Sequence, residues 1–440
     1  MRRAVFEWLW VAGIISGLVS GPLAAQTLEP YALHAQATYI WQGKPGFRAA
    51  YSGPNSLSAR WEKSYSFTAT LFAGVQAWPG GEFYVNLEVA QGVPLSRLTG
   101  LGGFTNGEIS RTAGPQLRGY VARAFVRQQW SVGSEASITE ADANQLAGSW
   151  SARRLVLTAG WVSVLDLFDR NPYASDPRTQ FLNWTFMTHG AYDYAADARG
   201  YTFGFAAELL WDNWELRFGR FAQPLQPNQL QLDYRLWKRF GDQVEASHHY
   251  TWQGRSGTLR LLAYHNHARM ARYREALALA GTSGIPPSLD AARRREHDKL
   301  GLGINVAQEV TPDLGVFGRA MWSDGRTETY AFTEIDRSVA LGLSASGERW
   351  GRPLDRAGLA TAMHFLSSSH RRYLREGGFG FFLGDGRLRY RPERVVEVFY
   401  SVGFRDWLFL TADWQLLANP GYNADRGPAH VFSLRLHASG

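Results

Sequence analysis

Two histidine clusters are the first residues in this 440-residue chain to suggest chemistry, His248-His249 and His265-Asn266-His267. On a β-strand, His265 and His267 share a face at i, i+2, a spacing that offers two imidazoles to one metal ion. No third ligand stands at a workable spacing. A hydrolytic site needs a nucleophile or water held by a histidine together with an acid or amide within hydrogen-bond reach. Polar strand positions explain these histidines better than an enzyme does. The chain has no cysteine, which removes thiolate metal sites and thiol nucleophiles and suits a chain exported through an oxidising compartment. The expectation is no catalysis, no metal and no cofactor.

A larger set of charged residues carries more information, because it alternates with apolar ones. In GEFYVNLEVAQG (81–92), Phe83, Val85, Leu87 and Val89 share one face, while Glu82, Tyr84, Asn86 and Glu88 share the other. Extending this register puts Arg123, Arg127, Arg154, Arg217, Arg260, Arg319 and Arg435 on the polar side. Glu82, Glu88, Glu208, Glu215, Glu245, Glu397 and Asp413 join them there. The signs nearly balance, so the polar face is no single-sign ion filter. Aromatics at Tyr84, Phe317, Trp407 and Phe409 interrupt it. Charged hydrogen-bonding groups beside aromatic planes suit a neutral polyhydroxylated solute, although any hydrated pore wall shares much of this composition. The expected pore-lining set is Arg123, Arg127, Glu88, Glu82, Arg154, Arg217 and Glu215.

These residues must sit on strands, since their period is two. Strands are expected at 32–42, 65–78, 81–92, 116–130, 153–162, 199–211, 213–222, 244–253 and 257–268. They continue at 298–309, 314–324, 331–346, 358–366, 394–403, 406–417 and 430–438, with Tyr120, Ala122, Ala124 and Val126 outward on the fourth. Tight turns follow from Pro79-Gly80-Gly81 and Asp212-Asn213. The stretch 223–243 reads either as a loop with a short hairpin or as an extra strand from Leu232, and 271–280 is helical inside a long loop. Counting 223–243 as loop gives about sixteen strands. The connections then alternate short and long, as in an all-β transmembrane antiparallel β-barrel with short periplasmic turns and long extracellular loops. A barrel also removes the unpaired strand edges that lipid penalises.

Composition agrees. Charged residues are 19% and aromatics 14%, with 46 glycines, and after the N-terminus no run of 18 apolar residues marks a membrane helix. Residues 1–25 read as a signal peptide: Arg2-Arg3, an apolar core, then Pro22-Leu23-Ala24-Ala25. Residues 26–440 are then the outer-membrane barrel of a Gram-negative cell. The net charge of +7 fits an acidic surface partner such as lipopolysaccharide. Its basic residues are dispersed and carry no nucleic-acid motif. Outer-membrane lipid and the barrel assembly machinery are the other expected partners. One copy and a homotrimer both remain open as the working assembly.

The insertion 163–198 follows the fifth strand and carries Asp166, Asp169, Asp176, Arg178 and Trp184. It is long enough to fold inward as a constriction, and it reads equally as an external loop held by Asp–Arg pairs. Eight stretches, YSGPNSLS (51–58), LGGFTNGE (101–108), DPRTQFLNW (176–184), DYAADARGYTFG (193–204), LRLLAYHNHARM (259–270), YAFTEIDRS (330–338), GDGRLRYRPE (384–393) and NPGYNADRGP (419–428), resemble the carbohydrate-selective porins of the OprB family. The likeness spans nearly all of the mature sequence. It implies a sixteen-stranded barrel, passive sugar diffusion into the periplasm, and an arginine- and acid-lined constriction. It carries that role to Arg123, Arg127, Asp176, Arg178 and Trp184. The alternatives are a general porin of the same fold and, further off, an outer-membrane barrel enzyme. Such barrels usually finish in an aromatic residue, whereas this sequence ends His437-Ala438-Ser439-Gly440, a difference that bears on insertion.

Overall fold

Alternation along each strand gives it one face for lipid and one for the interior, and sixteen such strands close on themselves. The computed structural model describes residues 26–27, 29–109, 114–133 and 136–440; the expected signal peptide lies outside the described residues. The barrel strands are β1 (Tyr31–Lys44), β2 (Glu62–Trp78), β3 (Gly81–Val93), β4 (Gly114–Ser131), β5 (Arg154–Val162), β6 (Thr202–Trp211), β7 (Trp214–Pro224) and β8 (Phe240–Trp252). They continue as β9 (Arg255–Ala268), β10 (His297–Thr311), β11 (Leu314–Ser323), β12 (Arg337–Ser346), β13 (Arg356–Phe365), β14 (Glu393–Arg405), β15 (Leu408–Ala418) and β16 (Ala429–Ser439). Each pairs antiparallel with its neighbour, and β1 against β16 completes the ring, with Gln36 opposite Ser439 and Gly43 opposite Phe432.

The outer face carries a belt of hydrocarbon and aromatic surface: Leu87, Leu216, Leu302, Leu341 and Leu434 are each about half exposed or more. Trp78, Trp211, Trp214, Trp252 and Trp407 stand exposed toward the turn end, where an aromatic girdle meets the interface. Gln253 and Gly254 both take positive φ (51° and 74°) between β8 and β9, the geometry of a two-residue hairpin turn. Between β7 and β8, residues 225–239 are a loop whose short strand, Leu232–Asp233, pairs back on Gln223 and Pro224 at the end of β7. The long loop after β9 holds a helix, Tyr273–Ser283.

Three expectations need correction. Tyr120 and Ala122 do not face lipid. A register shift on β4 sets Arg123 opposite Asn86 but Val121 opposite Leu87, so Ala122 is a buried bulge and Tyr120 turns inward to bond Glu88. Trp407 is exposed in the β14–β15 turn rather than inside. Nor do loop lengths sort strictly. The connector 132–153 between β4 and β5 lies on the short-turn side, where Gly148–Ser151 pairs with both Ala136–Thr139 and Gln26–Thr27.

Candidate functional site: the lumen and its constriction

The inward face of the strands carries most of their polar residues, so the lumen begins as a ring of charges. Two extracellular loops fold down into it. Loop L2 (94–113, described to 109) inserts Thr105, which donates to Gln42 Oε1 (2.9 Å), and Asn106, which donates to Ser66 (2.9 Å). Loop L3 (163–201) fills more of the interior, and the wall holds it along most of its length. Arg319 on β11 donates to the carbonyls of Asp169 (2.9 Å), Ala174 and Phe186 (both 2.7 Å), and its Nε reaches Asp169 Oδ1 at 3.1 Å. Arg435 on β16 donates to the carbonyls of Pro177 and Gln180, both at 2.7 Å. Glu397 on β14 accepts the Leu182 and Asn183 N–H groups (2.5 and 2.9 Å). Glu245 on β8 accepts the Asp169 N–H (2.7 Å), and Lys299 on β10 pairs with Asp193 (2.9 Å).

Shape assists charge. Gly342 and Gly358 on β12 and β13 would bring a Cβ within 2.4 Å of Phe317 and 2.3 Å of Phe399 respectively. Their absent side chains leave room for those rings to receive Phe181 of L3, at centroid distances of 5.5 and 5.0 Å. Phe104 of L2 packs edge-on against Trp184 of L3 (5.5 Å), which stacks on Phe332 (4.7 Å). The loop thus folds into the barrel rather than lying outside it.

Between L3 and β4 remains a cavity of about 290 Å³. Arg123 forks onto Asp166, with Nε–Oδ2 at 2.6 Å and Nη2–Oδ1 at 2.7 Å. Arg178 bridges Glu88 (3.1 Å) and Glu108 of L2 (3.0 Å). Arg127 pairs with Glu82 at 3.7 Å and lies 5.2 Å over the Tyr84 ring. Asp176 accepts the Arg178 N–H (3.0 Å) and the Thr179 hydroxyl (2.8 Å). The fourth arginine of the cavity, Arg170, is exposed. Among the described residues no hydrogen bond or ion pair engages its guanidinium.

The cavity is also lined from the periplasmic side. The connector 132–153 turns at Asn144, which has φ 63°, and pushes that residue into the barrel. Asn86 Nδ2 donates to Asn144 Oδ1 (2.7 Å) and Arg127 to the Asn144 carbonyl (2.9 Å). The Leu146 N–H donates to the Tyr84 hydroxyl (3.0 Å), and Leu146 is buried. At the opposite end of L3, Asp197 accepts the Arg199 and Tyr201 N–H groups (2.9 and 3.1 Å). Burial pushes its carboxyl up to about 6 against those backbone bonds.

The expected site residues therefore divide. Arg123, Arg127, Asp166, Asp176 and Arg178 line the cavity, with Glu82 and Glu88 buried directly behind as their partners. Asp169 and Trp184 are buried parts of the L3 anchorage, not its lining. Arg154, Arg217 and Glu215 form a separate cluster on β5–β7, where Arg217 bonds Glu208 (2.7 Å), Glu215 (2.6 Å) and Glu245 (3.2 Å). Sequence reasoning missed Glu108, Arg170 and Asn144. Glu108 stands in one of the eight matched stretches, LGGFTNGE, and nothing local marks the other two. Of the histidines, His249 pairs with Glu215 (3.1 Å), and His248 stacks on Trp214 (4.2 Å). His265 and His267 share the Asp298 carboxylate (2.7 and 2.8 Å) at the outer rim. Among the described residues no cluster of three ligating side chains is placed to hold a metal.

A closed sixteen-stranded barrel with an apolar belt and a loop-narrowed charged lumen is a passive outer-membrane channel, a porin. The family model described as "Carbohydrate-selective porin, OprB family" matches residues 64–439, and the chain belongs to that family. Over 93% of its length it superposes on the high-pH structure of Pseudomonas putida OprB, covering 94% of that chain with a TM-score of 0.69 at 16% identity. The outer membrane channel DcaP of Acinetobacter baumannii matches less closely, with a TM-score of 0.50 at 10% identity over 93% of this chain and 97% of that one. Among curated proteins, Porin AaxA of Chlamydia abortus is 29% identical over 139 residues, which is 32% of this chain and 27% of that protein. Porin AaxA of Chlamydia caviae is 31% identical over 135 residues, covering 31% and 26%. These matches span only about a quarter of the relatives' length. Family and fold are those of a channel rather than an enzyme.

Proposed function

We propose that this porin passes neutral carbohydrates into the periplasm by diffusion, with a preference for sugars set at the L3 constriction. The observation that carries this reading is the charge-balanced cavity. Four arginines face four carboxylates there, most of them already paired, so an ion of either sign gains little. A solute rich in hydroxyls instead meets an unengaged donor in Arg170, an amide in Asn144, and the Phe125 ring beside them. At about 290 Å³ the cavity stands at the lower end of small-molecule sites, roughly 300–1,000 Å³, so it suits one small solute at a time. On this reading the partners are the diffusing sugar, the surrounding lipid and the machinery that inserts barrels.

The test is single-channel recording of the refolded protein in a planar bilayer, titrated with neutral mono- and disaccharides. Saturable block of the ion current is expected. Current without saturable block would leave a general porin, and no current from a folded barrel would remove the channel reading itself.

A further inference from the structure

The outward surface at the extracellular ends of β10–β13 is not uniform hydrocarbon. Trp322 stands opposite both Leu302 and Arg337, and Arg337 opposite Phe365. One step toward the membrane centre, Ala320 lies between Ile304 and Val339. A methyl flanked by two branched side chains leaves a trough, and the groove so formed has a volume of about 730 Å³. Its floor is apolar. Its upper end is closed by Arg337 and by Arg371, which belongs to the helix Ser368–Arg375 in the loop after β13.

Arg371 is held in place rather than dangling. Its guanidinium lies 4.7 Å over the Tyr390 ring, and the Tyr390 hydroxyl accepts the Leu366 N–H at 3.3 Å. The helix itself is clamped to the barrel. Ser367 caps it by accepting the His370 N–H (3.1 Å), and Asp336 accepts both the Ser367 N–H (2.7 Å) and the His370 ring nitrogen (3.1 Å). Some arginines of the neighbouring loops are neutralised, as in Arg293–Glu328 at 2.6 Å and Arg389–Asp425 at 2.7 Å. Arg337, Arg371 and Arg394 form no ion pair among the described residues. Arg394 points outward from β14, two strands beyond Arg337, hence roughly 10 Å along the rim by strand spacing.

We propose that this groove is a binding site for a phosphorylated glycolipid of the outer leaflet, the lipid A portion of lipopolysaccharide. Acyl chain lies in the trough over Ala320, and phosphate is forked by Arg337 and Arg371. The argument is charge complementarity at a fixed depth. Unpaired guanidiniums favour bidentate phosphate contacts, and they stand directly above apolar surface at the level where Trp322 marks the interface. The spacing from Arg337 to Arg394 gives a second phosphate on the same head its own partner, which a single-phosphate lipid does not use.

The experiment takes the full-length refolded barrel in detergent and measures retained lipid by native mass spectrometry. The probes are bisphosphorylated lipid A, its dephosphorylated form and phosphatidylglycerol. Bisphosphorylated lipid A is expected to bind at least tenfold more tightly than either of the others. The double variant Arg337→Gln with Arg371→Gln is expected to remove that preference, and Ala320→Phe, which fills the trough, to weaken binding of all three. Single-channel conductance of each variant verifies folding, since none of the three residues faces the lumen. Equal retention by the double variant, or equal affinity for phosphatidylglycerol, would overturn the proposal.

Discussion

Replacing Arg123 and Arg127 by glutamate inverts the charge balance of the constriction. Four arginines (Arg123, Arg127, Arg170, Arg178) now face four carboxylates (Glu108, Asp142, Asp166, Asp176). The double variant leaves two against six, a change of four charges. An ion roughly 8 Å from one such charge in water feels about 0.5 kcal/mol, which a Debye length of ~8 Å cuts to about 0.2 kcal/mol. Four charges come to about 0.8 kcal/mol, favourable for a cation and unfavourable for an anion. Their permeability ratio then moves toward cations by about 1.6 kcal/mol, roughly 15-fold. The assay is reversal potential across a bilayer under a tenfold KCl gradient. The parent protein is expected near zero and the variant well toward the potassium equilibrium potential. The glutamine pair changes only two charges and should give about half the free-energy shift, or roughly fourfold. It also separates the field from loop displacement, because a glutamate at 123 would repel Asp166 where the arginine now forks onto it. Both shifts should shrink at 1 M salt, where the Debye length is ~3 Å. An unchanged reversal potential in the glutamate variant would refute the placement of these arginines on the ion path.

Two further outcomes are expected. Replacing residues 140–147 by a short glycine-serine link removes Asn144 from the lumen, so conductance should rise while the heat-modifiable barrel persists; conductance equal to the parent's would mean that the connector does not narrow the path. For Asp197 the sign follows from a folded value of about 6 against an unfolded value near 3.8. The folded loop binds more protons than the unfolded chain between those values, so its local stability is highest at low pH and falls by about 3 kcal/mol as pH rises through 6. Amide exchange around 197–201 should therefore quicken between pH 4 and pH 6.5 beyond its intrinsic rate. Asp197→Asn should abolish that extra dependence; the same excess slope in the variant would assign it to another group.

Much of the barrel was legible because lipid on one side and water on the other force a period of two, and one misplaced residue would bury a charge in hydrocarbon. The pattern fails where backbone geometry breaks the count. Ala122 looks like any outward alanine until the bulge on β4 reveals that Tyr120 belongs to the lumen, and Trp407 has inward parity but sits in a turn. The site was legible in part. Arg123 and Arg127 follow from strand register, whereas Asp166 and Arg178 stood in an insertion that read equally as a constriction or as an external loop. Which members of that insertion would face the cavity was not readable, since Asp169 and Asp176 are the same residue type seven positions apart. Only the buried Arg319 on a distant strand makes Asp169 an anchor. Asn144 was hidden for another reason: its connector has no period, and its role depends on Asn86 and Tyr84, about 60 residues earlier.

The anchorage of L3 has a mechanical consequence. A hollow tube of one sheet thickness resists stretching along its hydrogen bonds but flattens readily into an ellipse. Here side chains from β8, β10, β11, β14 and β16 grip one inserted loop, and Arg123 grips it from β4. These contacts act as spokes that tie separated points of the rim to a common hub. Squeezing the rim in any direction must then compress or break charged hydrogen bonds held out of water. Changes in lateral pressure as bilayer composition varies would leave the bore round, and its calibre would depend on the hub rather than on the surrounding membrane.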